Sequence, residues 1–510
     1  MANITKTTIL LFLLRVASML VSVVSVTVTA KFFGVSVEKD CWILAMTLIT
    51  TIVMGMWGPL NEIFRAKFVF LREQEGLEKV MSMTSSLLIF VIIVTLVASL
   101  VVTLFYKEIS SVIIGNISSN ASDIFATLLL ALIPTILLTE LTKITTSILN
   151  AFDIFYIPDI VGFFCGIINV IMIILLTPSI GIYSLLCGAY VSTILLLVVN
   201  LYYLNKKKIR IWTGNLKFDF NYVKQFLIFA LPFFFPYFVG QLNGIAEKYI
   251  AALLGQGAVS SLDYASQFTK ILQSVISGIL TTVMVPILAK AFANNRMNEF
   301  SIIVKDNIRV CMLILIAFCG LLVGAAEPIC HFFFDRGRVD SNQLLIIIKL
   351  TRAYGLTFIS IFMYLIFGYV LLSYGKGKIY ALAGVITQIF VIILFIAGFK
   401  MIGNLYVFPI SVFIAHLLAA IWMMYVARVV LSFDLLCLLL YSNIILVFVS
   451  VVGFYVNKVL WINIDLLKII ICGCAIGLLL FITYVPLAYD WRILKSNYLK
   501  FNNIWKRNKQ

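Results

Sequence analysis

The chain is dominated by long apolar runs that no charged residue interrupts. Three of them are Leu87–Phe105, Leu185–Leu201 and Ile469–Val485. A helix needs about 20 apolar residues, with a range of roughly 17–25, to cross the ~30 Å hydrocarbon core of a bilayer. The runs lack the alternation of apolar and polar residues that is typical of outer-membrane strands. With 63% hydrophobic and 12% charged residues, the sequence predicts an all-α polytopic membrane protein.

The apolar runs predict about 14 transmembrane helices. The first resembles a signal peptide, but Arg15 interrupts it and membrane-like sequence continues after Val28–Ala30. We therefore interpret it as an uncleaved first span. The predicted spans are residues 8–30, 41–60, 81–106, 124–150, 160–178, 181–203, 225–254, 263–289, 310–333, 344–373, 379–399, 405–427, 431–456 and 469–489.

The distribution of Lys and Arg predicts the orientation in the membrane. With the N-terminus in the cytoplasm, the segments on that side carry roughly three times as many Lys and Arg residues as the opposite side. This bias predicts that both termini are cytoplasmic. Most of the net charge of +16 is then an orientation signal, so no nucleic-acid partner is expected.

An internal echo and one long basic connection predict the domain organisation. Gly34–Asp40 follows the first span and Gly257–Asp263 follows the seventh, and each segment places a Gly six residues before an Asp. The echo favours a duplication of six helices, which is a common transporter architecture with a central cavity. The predicted domains are an N-lobe at 1–204, a cytoplasmic basic linker at 205–224, a C-lobe at 225–428, two further helices at 429–490 and a cytoplasmic basic tail at 491–510.

Basic residues inside the predicted spans are the strongest functional signal. A cation at the centre of a bilayer costs roughly 2.5–3.5 kcal/mol on insertion scales, so retained cations typically bind something, and an anionic substrate is the natural ligand. Arg15 and Lys248 could instead snorkel to the headgroups, and Lys349 and Arg352 could anchor the chain at the interface. Lys270 lies too deep for easy snorkelling. The six residues are Arg15, Lys143, Lys248, Lys270, Lys349 and Arg352.

Acidic residues in and beside the spans are candidates for gating or ion coupling. Glu140 and Lys143 are three apart and can pair on one helix face, either as a structural pair or as a gate. Glu247 and Lys248 are adjacent, so they should point in different directions and leave each other unsatisfied. Asp40, at the start of the second span, is a further gating candidate.

Motifs of catalysis and metal binding are missing from the sequence. There is no P-loop, no HExxH and no nucleophile elbow, and the nine Cys and two His lack metal-ligand spacing. We therefore expect no enzymatic activity, no metal and no cofactor. Coupling to the membrane potential or to a cation stays open.

Several segments together resemble the MurJ-type lipid II flippases and the related polysaccharide-lipid flippases of the multidrug/oligosaccharidyl-lipid/polysaccharide exporter superfamily. The similarity spans most of the chain, with its motifs in the family's order. The matching segments are Phe33-Gly34 followed by Asp40, Trp57–Val69, Leu254–Ala265, Val285–Lys290 and Phe334–Gly337.

The resemblance implies two six-helix lobes in a V around a cationic cavity. It also implies that the last two helices hold a polyprenyl tail. The family uses arginines of spans one, two and eight at the cavity. Arg15 matches the first, and Lys270 lies in the helix of the third. The chain departs from the family at three places. The family's second arginine of span one falls near Ser25, and span two has no basic residue between Cys41 and Leu60. Span eight has Ala265–Gln267 where the family often has Ala-Asp-Arg.

The expected function is translocation of a polyprenyl-diphosphate-linked saccharide, lipid II or a related cell-envelope precursor, across the bacterial inner membrane by alternating access. We expect a monomer whose partners are this glycolipid and the membrane lipids. The alternatives are a cation-coupled multidrug exporter of the same fold, which the excess of intramembrane cations disfavours, and a non-transporting scaffold for cell-wall enzymes. The candidate diphosphate-binding residues are Arg15, Lys270, Lys248, Lys349 and Arg352, and the candidate gating or ion-coupling residues are Glu140, Lys143, Glu247 and Asp40.

Overall fold

A computed structural model describes residues 2–114, 119–152, 154–209, 218–280, 284–335, 337–428, 433–460, 462 and 464–488. Within these ranges the chain forms α-helices and no β-strand, which confirms the all-α prediction. The helices are α1 (Ala2–Phe33), α2 (Val37–Glu75), α3 (Leu77–Leu104), α4 (Tyr106–Ile114), α5 (Ser119–Leu132), α6 (Pro134–Ala151), α7 (Tyr156–Ile180), α8 (Tyr183–Lys206), α9 (Phe220–Leu253), α10 (Ala258–Ile279), α11 (Val285–Ala293), α12 (Met297–Gly324), α13 (Ala326–Phe334), α14 (Ser341–Ser373), α15 (Gly377–Ile402), α16 (Val407–Ala427), α17 (Phe433–Val459) and α18 (Asp465–Ala488).

The helices follow the predicted spans in order and, with one exception, in number. Among the described residues, 13 helices are long and apolar enough to cross a membrane. The predicted span that is not among them, 263–289, falls on α10 and α11, and residues 281–283 between these helices lie outside the described ranges.

Prolines divide two of the predicted spans. Pro134 begins α6 directly after α5, and Pro328 lies in the first turn of α13, just after α12 ends at Gly324. Proline has no backbone N–H to donate to the preceding turn, so it is tolerated at the start of a helix and interrupts its interior. The predicted span 310–333 is therefore two helices rather than one.

Helix α2 extends well beyond the span predicted at 41–60. It continues through Asn61 and Arg65 to Glu75, and it ends where Gly76 takes a φ of 85°. Charged residues end an apolar run without ending a helix, whereas a glycine at positive φ does end one. The extension brings Asn61 into the helical bundle.

The first compact unit comprises residues 1–262 together with 336–340 and 395–399. In this unit α2 is central and packs against α3, α5, α6 and α9. Its aromatic side chains form much of the core, where Phe64 stacks on Phe226 of α9 with ring centroids 5.7 Å apart. Trp57 Nε1 donates a 3.0 Å hydrogen bond to Thr95 Oγ1 of α3 and so satisfies its polar atom in the apolar core.

The second compact unit comprises residues 263–335, 341–394 and 400–510. Here α12 packs against α14, α17 and α18, and α14 packs against α16. A Cβ on Gly324 of α12 would lie only 2.8 Å from the backbone of Gly453 of α17. Such close approach is how membrane helices gain packing energy, because lipid tails remove the hydrophobic incentive to associate.

The predicted lobe boundaries stay a prediction. Residues 210–217 of the linker at 205–224 and the whole basic tail at 491–510 lie outside the described residues. In the described part, α9 packs on α2, and both helices belong to the first compact unit.

Candidate functional site

Asp40 joins the two segments of the internal echo. It lies in the first turn of α2, which Ser36 caps by accepting a hydrogen bond from the Lys39 amide. The buried carboxylate accepts hydrogen bonds from the Gly257 amide (2.6 Å, to Oδ2) and from the Ser260 amide (2.7 Å, to Oδ1). These amides belong to the start of α10, where partial positive charge accumulates. Asp40 therefore caps α10.

The turn around Asp40 depends on glycines. Gly34 has a φ of 56° and Gly257 a φ of 78°. A Cβ on Gly34 would collide with the Arg338 carbonyl, and one on Gly257 would collide with the Val35 side chain. The same holds for Gly337, where a Cβ would meet the Lys31 backbone. Close backbone approach thus explains why these motifs contain glycine.

Glu140 and Lys143 of α6 are engaged by α2. Glu140 Oε2 accepts a 3.1 Å hydrogen bond from Asn61 Nδ2, and Lys143 Nζ lies 2.9 Å from Met54 Sδ. Glu140 and Lys143 attract each other electrostatically but form no direct ion pair in the described part of the chain, so their role as a structural pair or as a gate stays a prediction. Each side chain turns to the neighbouring helix instead. Asn61 was missed because it follows the apolar run of span two, and nothing local to it signals a partner in α6.

Glu247 and Lys248 contact each other, contrary to the sequence prediction. The sequence predicts that these neighbours leave each other unsatisfied, yet Lys248 Nζ lies 3.5 Å from Glu247 Oε1. Lys248 is 6% exposed, so it is buried among protein atoms rather than extended toward headgroups. Long, flexible side chains bend far enough for adjacent residues to meet.

Lys270 is the most accessible of the described candidate cations that form an ion pair. Its Nζ lies 3.1 Å from Asp263 Oδ1, and its side chain is 48% exposed. Asp263 also accepts from Gln267 Nε2 at 3.2 Å. The exposed part of the Lys270 side chain is thus accessible to an approaching anion.

Lys349 and Arg352 have different surroundings in spite of their spacing on α14. Lys349 is exposed. Arg352 lies 3.7 Å from Glu327 Oε2 of α13, and its guanidinium lies 5.0 Å from the ring centroid of Phe454 on α17. Arg352 thus joins three helices of the second unit, while Lys349 is available for a ligand.

The remaining candidate is Arg15. Its backbone lies in α1, and its side chain lies outside the described residues. Within the described ranges, no three His, Cys, Asp or Glu residues are grouped so that they could hold a metal ion.

Comparison with known proteins assigns the family. The family model "Lipid II flippase MurJ" matches residues 29–471, which is most of the chain. The chain belongs to the MurJ lipid II flippase family. The resemblance seen in the sequence is therefore confirmed. The family is one of flippases rather than enzymes, and its members together with the candidate spans indicate a protein of the bacterial inner membrane.

Individual relatives are distant in sequence. The lipid II flippase MurJ of Burkholderia cenocepacia is 22% identical over 343 residues, which are 66% of this chain and 66% of that protein. The chain thus spans just under two thirds of that relative's length. The probable lipid II flippase MurJ of Borreliella burgdorferi is 23% identical over 363 residues, which are 70% of each chain.

Solved structures share the fold. The lipid II flippase MurJ in an inward closed conformation matches with a TM-score of 0.78 at 22% identity, over 94% of this chain and 100% of that chain. An inward-facing multidrug resistance MATE family transporter of the MOP superfamily matches with a TM-score of 0.69 at 12% identity, over 81% and 94%. The fold is therefore that of the superfamily expected from the sequence.

Proposed function

We propose that the protein is a flippase that moves lipid II, or a closely related polyprenyl-diphosphate-linked saccharide, across the bacterial inner membrane by alternating access. The family match over residues 29–471 carries this proposal. The fold shared with a solved MurJ structure supports it.

The head group of such a lipid is a diphosphate, and exposed cations are suited to bind it. Lys270 and Lys349 are the two described candidates with exposed side chains. We assign them to direct contact, together with Arg15 from α1. Lys248 and Arg352 are held by Glu247 and Glu327, so their charge would act on the diphosphate at longer range. Attraction to these cations offsets part of the cost of removing the diphosphate from water.

The polyprenyl tail needs an apolar surface, and α17 and α18 offer one. Along α17 the exposed residues recur every three or four positions, as on one helix face. Leu478 and Phe481 extend exposed apolar surface on α18. We assign tail binding to these two helices, which lie outside the proposed six-helix lobes at 1–204 and 225–428. The exposed apolar residues of α17 are Leu440, Tyr441, Ile444, Val447, Phe448, Val451, Tyr455 and Val459.

The proposed arrangement places both termini in the cytoplasm and requires no cofactor and no second copy of the chain. Asp40 would hold the α9–α10 turn during part of the cycle, as its hydrogen bonds to Gly257 and Ser260 suggest. Energy would come from the membrane potential or from a coupled ion.

Complementation tests the proposal. The gene is expressed in a strain depleted of its own lipid II flippase, and in parallel in mutants lacking a capsule flippase or an O-antigen flippase. Rescue of the first strain is the expected result. Rescue of only a capsule or O-antigen mutant would change the substrate to another polyprenyl-linked glycan.

The Lys270→Ala variant distinguishes transport from a scaffolding role. A flippase that uses Lys270 loses rescue while the protein still reaches the membrane at wild-type level, whereas a scaffold keeps its function. Failure of the wild type in every strain, with the protein present in the membrane, contradicts the proposed function.

A further inference from the structure

Glu140 is a carboxyl group placed entirely inside the helical bundle. It is 0% exposed and lies on the face of α6 that packs against α2. Among the described residues, one hydrogen bond to this carboxyl group is found, from Asn61 Nδ2 to Oε2 at 3.1 Å. A buried ionised carboxylate normally accepts several hydrogen bonds or faces a cation, because its charge has been removed from water.

Glu140 and Asn61 each have one buried oxygen atom without a hydrogen-bond partner in the described part of the chain. These atoms are Glu140 Oε1 and Asn61 Oδ1. An ionised carboxylate and an amide carbonyl are acceptors only, so these two atoms cannot satisfy each other as long as the carboxyl group is charged.

Among the described residues no charged side chain forms an ion pair with Glu140, although the charge of Lys143 acts on it from farther away. Lys143, one turn along α6, has its Nζ 2.9 Å from Met54 Sδ, and no ion pair with Glu140 is found in the described ranges. Charged residues of the helices packed against α6 contact other groups. On α2, Glu62 accepts from Tyr237 Oη at 2.9 Å, Arg65 lies over the Phe155 ring, and Arg72 Nη1 donates to the Ala151 carbonyl. On α3, Lys79 pairs with Glu75, and on α8, Lys206 lies over Tyr202 and Tyr203.

A proton on Glu140 satisfies both orphaned atoms at once. A carboxylic acid and a primary amide present complementary edges, since the amide N–H donates to the acid carbonyl and the acid O–H donates to the amide carbonyl. The observed bond from Asn61 Nδ2 to Glu140 Oε2 is the first half of such a ring. The two unpartnered oxygens are the atoms that the second half requires.

We propose that Glu140 and Asn61 form a buried proton-binding site, in which Glu140 Oε1–H donates to Asn61 Oδ1, and that this proton is the ion coupled to transport. The proton passes from a hydronium ion to Oε1, so one O–H bond of hydronium breaks as the Oε1–H bond forms. The reverse transfer to water occurs when the site becomes hydrated. The site itself is independent of the transported lipid, whereas the coupling rests on the proposed function.

Infrared difference spectroscopy of the full-length protein in lipid nanodiscs, without substrate, tests the site. At neutral pH we expect the wild type to show the C=O stretching band of a protonated carboxyl group. The Glu140→Gln variant should lose this band, and the Asn61→Leu variant should shift it, because the ring is broken. Glu62→Gln is the matched control, since Glu62 is exposed and adjacent to Asn61, and it should leave the band in place.

Two spectroscopic outcomes would overturn the site. One is a wild-type spectrum from which Glu140→Gln removes no protonated-carboxyl band. The other is a band that appears only after Na⁺ is removed, which would make the pair a sodium site. Gln has nearly the shape of protonated Glu, so the variant should fold, and its thermal unfolding midpoint provides the check.

Lipid flipping in proteoliposomes under an imposed pH gradient tests the coupling. The wild-type rate should respond to the gradient, and the Glu140→Gln rate should not. If the variant loses the carboxyl band but keeps the gradient response, the coupling is wrong and the proton is structural. If the wild type flips no lipid II, the proposed function fails while the spectroscopic result on the site still stands.

Discussion

The Asp40 carboxylate of α2 accepts a 2.6 Å hydrogen bond from the backbone amide of Gly257, which immediately precedes α10. The two residues belong to the two copies of the internal echo, so a side chain of one copy binds the backbone of the other. A charged acceptor at a helix N-terminus gains from both the free amides and the helix dipole. A change in the α9–α10 turn that moves Gly257 away from Asp40 therefore requires the loss of this hydrogen bond.

Asp40→Ala should weaken the turn measurably. Loss of the hydrogen bonds to two amides is expected to lower the free energy of unfolding by about 2 kcal/mol. The thermal unfolding midpoint of the purified protein in detergent should fall, and complementation should weaken. Glu38→Gln, in the same first turn of α2, is the control, because no side-chain hydrogen bond from Glu38 holds α10 in the described structure. Equal midpoints for the two variants would contradict the capping role.

Gly257→Ala should be destabilising because of its backbone conformation. The residue has a φ of 78°, and a Cβ there would strike Val35. Non-glycine residues in such regions cost on the order of 1–3 kcal/mol. Gly244→Ala is the matched control, since Gly244 lies within α9 and an added Cβ there would meet no atom within 4 Å, and alanine should stabilise a helix there by about 0.5–1 kcal/mol. Thermal unfolding of the two variants should therefore shift in opposite directions.

Lys270 should affect transport more than stability. The Lys270 side chain is 48% exposed in its ion pair with Asp263, and ion pairs at the surface contribute roughly 0–1 kcal/mol. Lys270→Ala should thus keep the unfolding midpoint and abolish complementation, while Lys270→Arg should retain part of it. Asp263→Asn separates the two roles of the lysine. If the loss in Lys270→Ala came only from the broken ion pair, Asp263→Asn would be equally inactive.

Substitution of the two cations of α14, Lys349 and Arg352, should affect stability differently. Arg352 contacts Glu327 and the Phe454 ring, and a cation–π contact contributes about 0.5–2 kcal/mol, so Arg352→Ala should lower the unfolding midpoint. Lys349→Ala removes an exposed side chain and should change the free energy of unfolding by no more than about 0.5 kcal/mol. A reduced flipping rate in Lys349→Ala at unchanged stability would support diphosphate contact. A destabilised Lys349→Ala would instead place this side chain in the packing.

The sequence predicted the spans well but not the partners of their polar residues. Hydropathy depends on each run alone, because the bilayer sets a minimum length for every apolar helix. The hydrogen-bond partner of Glu140 is Asn61, 79 residues earlier. Spacing along one helix shows which side chains share a face, whereas contacts between helices depend on how two faces pack. Asn61 was also hidden because α2 continues past its apolar run to Gly76.

Gly324→Ala tests whether close helix packing stabilises the second unit. The added Cβ would lie 2.8 Å from the backbone of Gly453, so α12 and α17 would have to separate. Overpacking of this kind typically costs about 1–3 kcal/mol, here against the gain of about 0.5–1 kcal/mol that alanine brings to a helix. Gly477→Ala on α18, where nothing lies within 4 Å of the added Cβ, is the control. The unfolding midpoint should fall for Gly324→Ala and hold or rise for Gly477→Ala. A rise in both would mean that the α12–α17 contact yields without loss and that packing there contributes little.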